Sequence, residues 1–501
     1  MINFEFDDPD QLFGNEAAEH EDSEVFNSYA VQRPEMRSFL DQRKPLQIVS
    51  AYKGEGKSAL LRLIENKIRE DDRNAVVLRV SATEISPSED ENNIDSWIRL
   101  WKKAIFKKIA VEIGKGIKIA FTDDAISLVE EAESEGFRER SFVGTVVSRL
   151  SSKHMPIEQK KPKIESHEYL MQRWANEGAP VWILIDDIDH NFRNNKYDQT
   201  KVATCLMATT QIFMSVPEIK IRLSLRPNVW ATIKTEFESL SHIKQYIKGL
   251  SWSDKDFQNI LSHRIESYLK RTGQWAEVSK NISVDVDARK RQLLNLVFEN
   301  PVYWGGNNSK RDVYIPLHTL SRHRPRWMIE LCKVASIDAY DNKNNVITLE
   351  NITKKLRNFG KSRIDDMVVE FQPQCDKIRQ LLIAFANQNE RYTTDQLLIL
   401  IRDRVLQSVS PKIVGVIGSP GPKEIAHFLF QIGFLSARQD HSDGSYSHHS
   451  FSEKPELLLT ENNIDQGMSW EIHPVFRQTL ELKDVESKSQ KHRRTGKARR
   501  R

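Results

Sequence analysis

The chain has only three cysteines in 501 residues, Cys205, Cys332 and Cys375. Their wide spacing excludes a disulfide framework and a zinc knuckle, so each is expected to be a small core residue in a reducing compartment. Long apolar runs are missing too. None nears the roughly 20 residues that cross a membrane. Met1 to Glu24 holds nine Asp and Glu and no Lys or Arg, so no signal peptide is expected, and the cytoplasm is the expected location. Repeats of solenoid period are absent. No nuclease acidic cluster, protease triad or deaminase zinc motif stands out, which points to an effector supplied by a partner. His448-His449 lacks carboxylate or cysteine neighbours at ligand spacing and reads as part of a solvated wing.

What is present begins with size and charge. A chain of this length is expected to fold as two to four domains, each with its own core. Net charge is +4 with 29% charged residues. The acidic head is balanced by a tail, 484–501, with eight Lys and Arg against Asp484 and Glu486. Such a tail could bind nucleic acid by counterion release, or simply be solvated.

The most informative stretch is Leu46 to Leu63. Leu46, Ile48 and Val49 form a short apolar run, Lys53-Gly54-Glu55-Gly56-Lys57-Ser58-Ala59 follows, and Leu60, Leu61, Ile64 and Ile68 then recur at helical spacing. This strand–turn–helix layout is that of a phosphate-binding loop. Its amides would cradle the β-phosphate, Lys57 would reach the β/γ-phosphates, and the Ser58 hydroxyl would bind Mg²⁺. The full G-x-x-x-x-G-K-S/T pattern calls for glycine at position 51, where this chain has Ala51. A second Gly-Lys-Ser, at Gly360–Ser362, lacks a preceding strand pattern and reads as a helix end or loop.

Further strands alternate with helices. Ala75–Ser81 is rich in β-branched residues. Val181–Ile185 is fully apolar and runs into Asp186-Asp187-Ile188-Asp189, as expected of a buried parallel strand with acids at its C-terminal edge. Glu218–Arg226 alternates like a strand and meets Pro227, which starts a helix. Trp97, Leu100, Trp101, Ile105, Ile109 and Ile113 mark a helix whose aromatic pair reads as core. The expected fold class is α/β: a parallel P-loop NTPase sheet flanked by helices, with ligands at the strand C-termini.

Triphosphate hydrolysis needs a phosphate cradle, a Mg²⁺ ligand, a water-orienting base and a cation at the γ-phosphate. The loop supplies the first. Asp186 would hold Mg²⁺ directly or through water, Asp187 would orient water, with Asp189 able to share that task, and Arg226 would meet the γ-phosphate. The bland alternatives are acids that cap the next helix and a solvated arginine.

Beyond about residue 250 the pattern turns helical. Helices at Ile378–Phe385, Thr394–Leu406 and Lys423–Ile432, with a hairpin over Phe434–Phe451, suggest a winged helix. The Lys423–Phe434 helix is too apolar to read bases.

The Lys53–Leu61 loop, the Asp-Asp-x-Asp strand end, Leu225-Arg-Pro-Asn-Val-Trp230, Leu250-Ser-Trp-Ser-Asp254, Arg324-Pro-Arg326 and the terminal module together resemble the AAA+-related STAND ATPases. More narrowly they resemble a poorly characterised branch of bacterial P-loop ATPases with Leu-Phe-Gly-Asn-x-Ala-Ala-like residues, here Leu12–Ala18. The resemblance covers roughly 12–480. It implies an acidic strap (1–34), a nucleotide-binding domain (35–250, with a helical insertion at about 84–175), a helical lid (251–372), a winged helix (373–482) and a basic tail (483–501). It also implies ATP and Mg²⁺ as cofactors, Arg324 or Arg326 (the latter preferred) as the lid sensor, and an ATP-controlled switch or motor that forms homo-oligomers or acts with a partner effector, as related ATPases do in phage defence. Asp187 is shorter than the Glu of AAA+ enzymes, so slow turnover is expected. The other function class is a nucleic-acid-binding regulator with a structural nucleotide site. It predicts steeply salt-dependent DNA or RNA binding through the tail at 488–501.

Overall fold

The structure is a computed structural model that describes residues 4, 6–87, 93–116, 180–305, 309–442, 445–459, 465 and 467–484. The basic tail at 488–501, the Lys-rich connector at 151–167 and most of the expected insertion at 84–175 lie outside the described residues. The chain divides into two compact units. One is Gln32–Ser251; the other combines Met1–Val31 with Trp252–Arg501. Among the described residues no helix is long and apolar enough to cross a membrane.

The Gln32–Ser251 unit is built on a five-stranded parallel sheet. Its strands are β1 (Leu46–Ser50), β2 (Val76–Ser81), β3 (Val181–Asp186), β4 (Ile219–Leu225) and β5 (Ile247–Gly249), in the order β2-β3-β4-β1-β5. All pairings are parallel. β-branched and apolar residues fill the strands because helices cover both faces of such a sheet. Every residue of β3 is buried. Trp97, Trp101, Ile105 and Ile109 of the helix Ile94–Gly116 are also buried, in one core with Ile183, Ile185, Leu206 and Leu223. The aromatic pair is thus core. Ser50 pairs with Leu225, and Ile185 with Leu223, so the ends of β1, β4 and β3 stand level along one edge.

Arg222 sits in the middle of β4 with no solvent exposure. Its guanidinium donates to the carbonyls of Phe39 (2.5 Å), Lys44 (3.0 Å), Asp41 (3.1 Å) and Ile221 (2.9 Å) and lies 4.8 Å from the Trp182 ring. It thereby fastens the segment that leads into β1.

In the other unit, the N-terminal segment is part of the core. Phe4, Phe6, Leu12, Phe13 and Phe26 are all buried. Arg264, in the helix Asp254–Arg271, donates to the carbonyls of Phe13 and Asn15 and stacks 4.0 Å from the Tyr29 ring. Lys333 pairs with Asp10 and Glu16, and Ser336 donates to the Phe6 carbonyl at 3.0 Å. Gly14 needs its lack of a side chain here: φ is +69°, and a Cβ would crowd Glu21 and Arg264.

The second Gly-Lys-Ser lies inside the helix Leu356–Phe371, so the expected helix end or loop is corrected to a helix interior. The reason is packing. A Cβ on Gly360 would collide with the Val475 carbonyl and the Thr479 hydroxyl. Glycine's usual cost in a helix is offset by this close approach.

The C-terminal part holds the helices Ile378–Ile383, Thr394–Leu400 and Pro422–Gln431 and a four-stranded antiparallel sheet. The expected hairpin is the pair Leu435–Asp440 and Tyr446–His449; Ser469–Ile472 and Arg391–Tyr392 extend it. Ile425, Phe428, Leu429 and Phe430 are buried, so the middle of the Pro422–Gln431 helix serves packing. Glu471 is buried between Arg438 (2.6 Å), Arg477 (3.0 Å) and His448 (3.0 Å). Burial alone would push its pKa up, but these three partners outweigh it and hold the carboxyl down at about 2. A lowered carboxylate pKa stabilises the fold fully above the ordinary value of 4.5, and the contribution fades as pH falls toward 2. The loss should reach about 3 kcal/mol. Thermal melts between those pH values should therefore fall more steeply for the parent than for Glu471→Gln; equal slopes would contradict this.

Candidate nucleotide site

The loop between β1 and the helix Lys57–Asp71 turns on two glycines. Gly54 (φ +83°) and Gly56 (φ +93°) both take left-handed backbone, which a side chain would oppose. Gly56 is the N-cap, and its carbonyl accepts the first helical bond from Leu60 at 2.9 Å. Ala51 is not among the positive-φ residues. It is buried, and its N–H reaches the Leu225 carbonyl at 3.3 Å. Alanine therefore serves where the motif calls for glycine. Glu55 accepts the Tyr52 N–H at 2.6 Å, closing the loop on itself. Lys53 is exposed, while Gly54, Glu55, Gly56, Ser58 and Ala59 are half-buried. Lys57 is the first helical residue. Its ammonium is buried and donates to the carbonyls of Ala51 (2.9 Å) and Tyr52 (3.4 Å).

The acidic strand end lies one strand away, beyond β4. Asp186 Oδ1 accepts from the Ser224 hydroxyl and from the Asp187 N–H at 2.9 Å. The Asp187 N–H also lies 2.9 Å from Ser224 Oγ. Asp187 is half-buried in left-handed backbone (φ +54°), one of the few non-glycine residue types that tolerate it. Such strain is commonest at functional sites. Asp189 is almost fully buried and faces Arg226. Its Oδ2 accepts the Arg226 N–H at 2.5 Å, its Oδ1 lies 3.1 Å from Arg226 Nε, and its carbonyl accepts from Arg226 Nη2.

The fold thus sets Lys57, Ser58, Asp186, Asp187 and Arg226 at the C-terminal ends of β1, β3 and β4. Arg324 and Arg326 belong to the other unit. Arg324 is buried, 2.8 Å from Glu370 and 4.5 Å from the Trp327 ring. Arg326 is half-buried on the second residue of the helix Pro325–Asp341. Sequence reasoning missed Ser224, a hydroxyl with no exposure in an otherwise apolar strand end. A buried polar residue two positions before Arg226 was the available signal. Among the described residues no cluster of three or more His, Cys, Asp or Glu side chains is placed to hold a metal by itself. The donors present still fit Mg²⁺, which takes one or two protein oxygens and completes its shell with water and phosphate.

No protein-family model matches the sequence, and no curated protein matches it. Among solved structures, the chain is similar to the ORC2 protein of Aeropyrum pernix in its ADPNP-ADP complexes, with 12% identity and a TM-score of 0.42 over 91% of this chain and 96% of that one. It is similar to Cdc6p from Pyrobaculum aerophilum, with 12% identity and a TM-score of 0.32 over 92% and 98% of the two chains. It is also similar to the RuvB Holliday junction branch migration motor of Thermotoga maritima, with 11% identity and a TM-score of 0.30 over 73% and 81%. At these values the fold assignment stands on the sheet itself. Five parallel strands in the order β2-β3-β4-β1-β5, a glycine loop leading from β1 into a helix, and an acidic strand end beyond β4 make a P-loop NTPase sheet.

Proposed function

We propose that the chain binds ATP at the 53–59 loop and hydrolyses it slowly, acting as a nucleotide-controlled switch. The observation that carries this is the convergence of Lys57, Asp186, Asp187 and Arg226 at one edge of one parallel sheet. Lys53 to Ala59 present their backbone to the phosphates, and Lys57 supplies charge to the β/γ-phosphates. Ser58 and Asp186 would hold Mg²⁺, which neutralises charge building on the phosphates. Ser224 and the Asp187 amide occupy Asp186 Oδ1, so Oδ2 is the oxygen that would ligate the cation. Asp187 orients the attacking water, and Arg226 meets the γ-phosphate.

Asp187→Ala separates binding from turnover. ATP affinity should stay within about threefold of the parent, because Asp187 acts on water, while hydrolysis should fall about a hundredfold. Steady-state phosphate release alongside equilibrium ATP titration checks both. Parent-like turnover would take the water-orienting role away from Asp187.

The sequence resemblance further supports a STAND-type switch that oligomerises, a sensor role for Arg326 and a partner effector in phage defence. The helix and hairpin pattern supports a winged-helix module at 373–482. The buried face of the Pro422–Gln431 helix favours a protein-packing module over a base-reading one.

A further inference from the structure

We infer that Asp189 is a positioning residue that fixes the direction of Arg226, and that discrimination between ATP and ADP depends on it although it touches neither. The inference rests on the γ-phosphate role proposed for Arg226.

Three contacts join the two residues. The Asp189 carboxylate takes both the Arg226 backbone N–H (2.5 Å) and Nε (3.1 Å), and the Asp189 carbonyl accepts from Nη2. The aspartate side chain is 1% exposed and that of the arginine 17%. A carboxylate so buried cannot be left unpaired without a large penalty. Arg226 is therefore held as a fixed cation, not as a finger that swings in. The backbone bond adds a second effect: it ties the end of β4 to the turn after β3, in which His190 N–H reaches the Asp187 carbonyl at 2.9 Å. One carboxylate thus sets the guanidinium's direction and the spacing of the two strand ends. This differs from the water-orienting task the sequence left open for Asp189. A carboxylate whose two oxygens both face one arginine is poorly placed to activate water.

The test compares Mg-ATP and Mg-ADP affinities of the full chain for the parent, Asp189→Asn, Asp189→Glu and Arg226→Ala. The amide of Asn keeps the shape and loses the charge; Glu keeps the charge and displaces the guanidinium by about one methylene. ADP affinity should stay within about twofold in both Asp189 variants, while the ATP-to-ADP preference should fall about tenfold, as expected for one misdirected charge-assisted hydrogen bond. If both nucleotides weaken equally, Asp189 is only structural and the inference fails. If Arg226→Ala erases the preference while both Asp189 variants keep it, the inference fails and the role of Arg226 stands. If Arg226→Ala itself keeps the preference, the γ-phosphate role fails and takes the inference with it. Should Asp189→Asn not fold, Asp189→Glu decides by the same criteria.

Discussion

Lys57→Ala should weaken ATP binding by at least about a hundredfold while leaving the fold intact. The lysine is the first residue of the loop helix, and its ammonium is held by the Ala51 and Tyr52 carbonyls inside the loop. It is thus already directed at the space the glycine turn encloses. A charge-assisted hydrogen bond contributes about 1.5–3 kcal/mol, so losing one or two of them to phosphate gives an effect of this size. The fold should tolerate the change because the carbonyls that lose their donor belong to a loop at the sheet edge, where water can replace it. Lys57→Arg should not rescue. A planar fork does not fit a position that holds a point charge against two carbonyls. Titration calorimetry with Mg-ATP measures the loss, and near-ultraviolet circular dichroism checks the fold. Undiminished affinity in Lys57→Ala would remove the 53–59 loop from the site.

Much of the Gln32–Ser251 unit was legible because its signals are local. An apolar run, two glycines and a helical periodicity are sufficient to place the loop, and Val181–Asp189 shows a buried strand ending in acids. The relation of Asp186 to Arg226 also followed from order along the chain, since both stand at strand ends. Partners were not legible. Nothing in the sequence pairs Asp189 with Arg226, or brings Ser224 onto Asp186, because those contacts arise from strand register. The alternation in Glu218–Arg226 was a misleading signal. It suggests a polar face, yet inside β4 Arg222 and Ser224 are fully buried and Lys220 is half-buried. A sheet covered on both sides turns such residues inward, where each needs its own acceptors. Gly360 failed for a related reason: its cause is a carbonyl more than a hundred residues away.

Arg222→Met should destabilise the Gln32–Ser251 unit by about 3–5 kcal/mol, the scale of removing one side of a buried charged network. Burial lowers the guanidinium's pKa to about 9, so it remains charged at neutral pH. Its counterparts are carbonyls of Phe39, Asp41 and Lys44, in the segment just before β1. Methionine fills the volume beside Trp182 but leaves those acceptors without a donor, and each buried orphan costs about 1–3 kcal/mol. The consequence extends to the site, because the fastened segment sets where β1, and hence the loop after it, enters the sheet. Arg222→Lys separates charge from geometry. An ammonium has three donors on one atom and cannot span carbonyls that the guanidinium reaches from three nitrogens, so it should recover less than half of the loss. With two units in the chain a single melting midpoint is ambiguous. Amide hydrogen exchange resolves them: in Arg222→Met, β1 and β4 should exchange faster, while the helix Asp254–Arg271 keeps parent protection. Parent-like protection in β1 would mean that Arg222 is a passenger in the core and that the entry to the loop is set by the sheet alone.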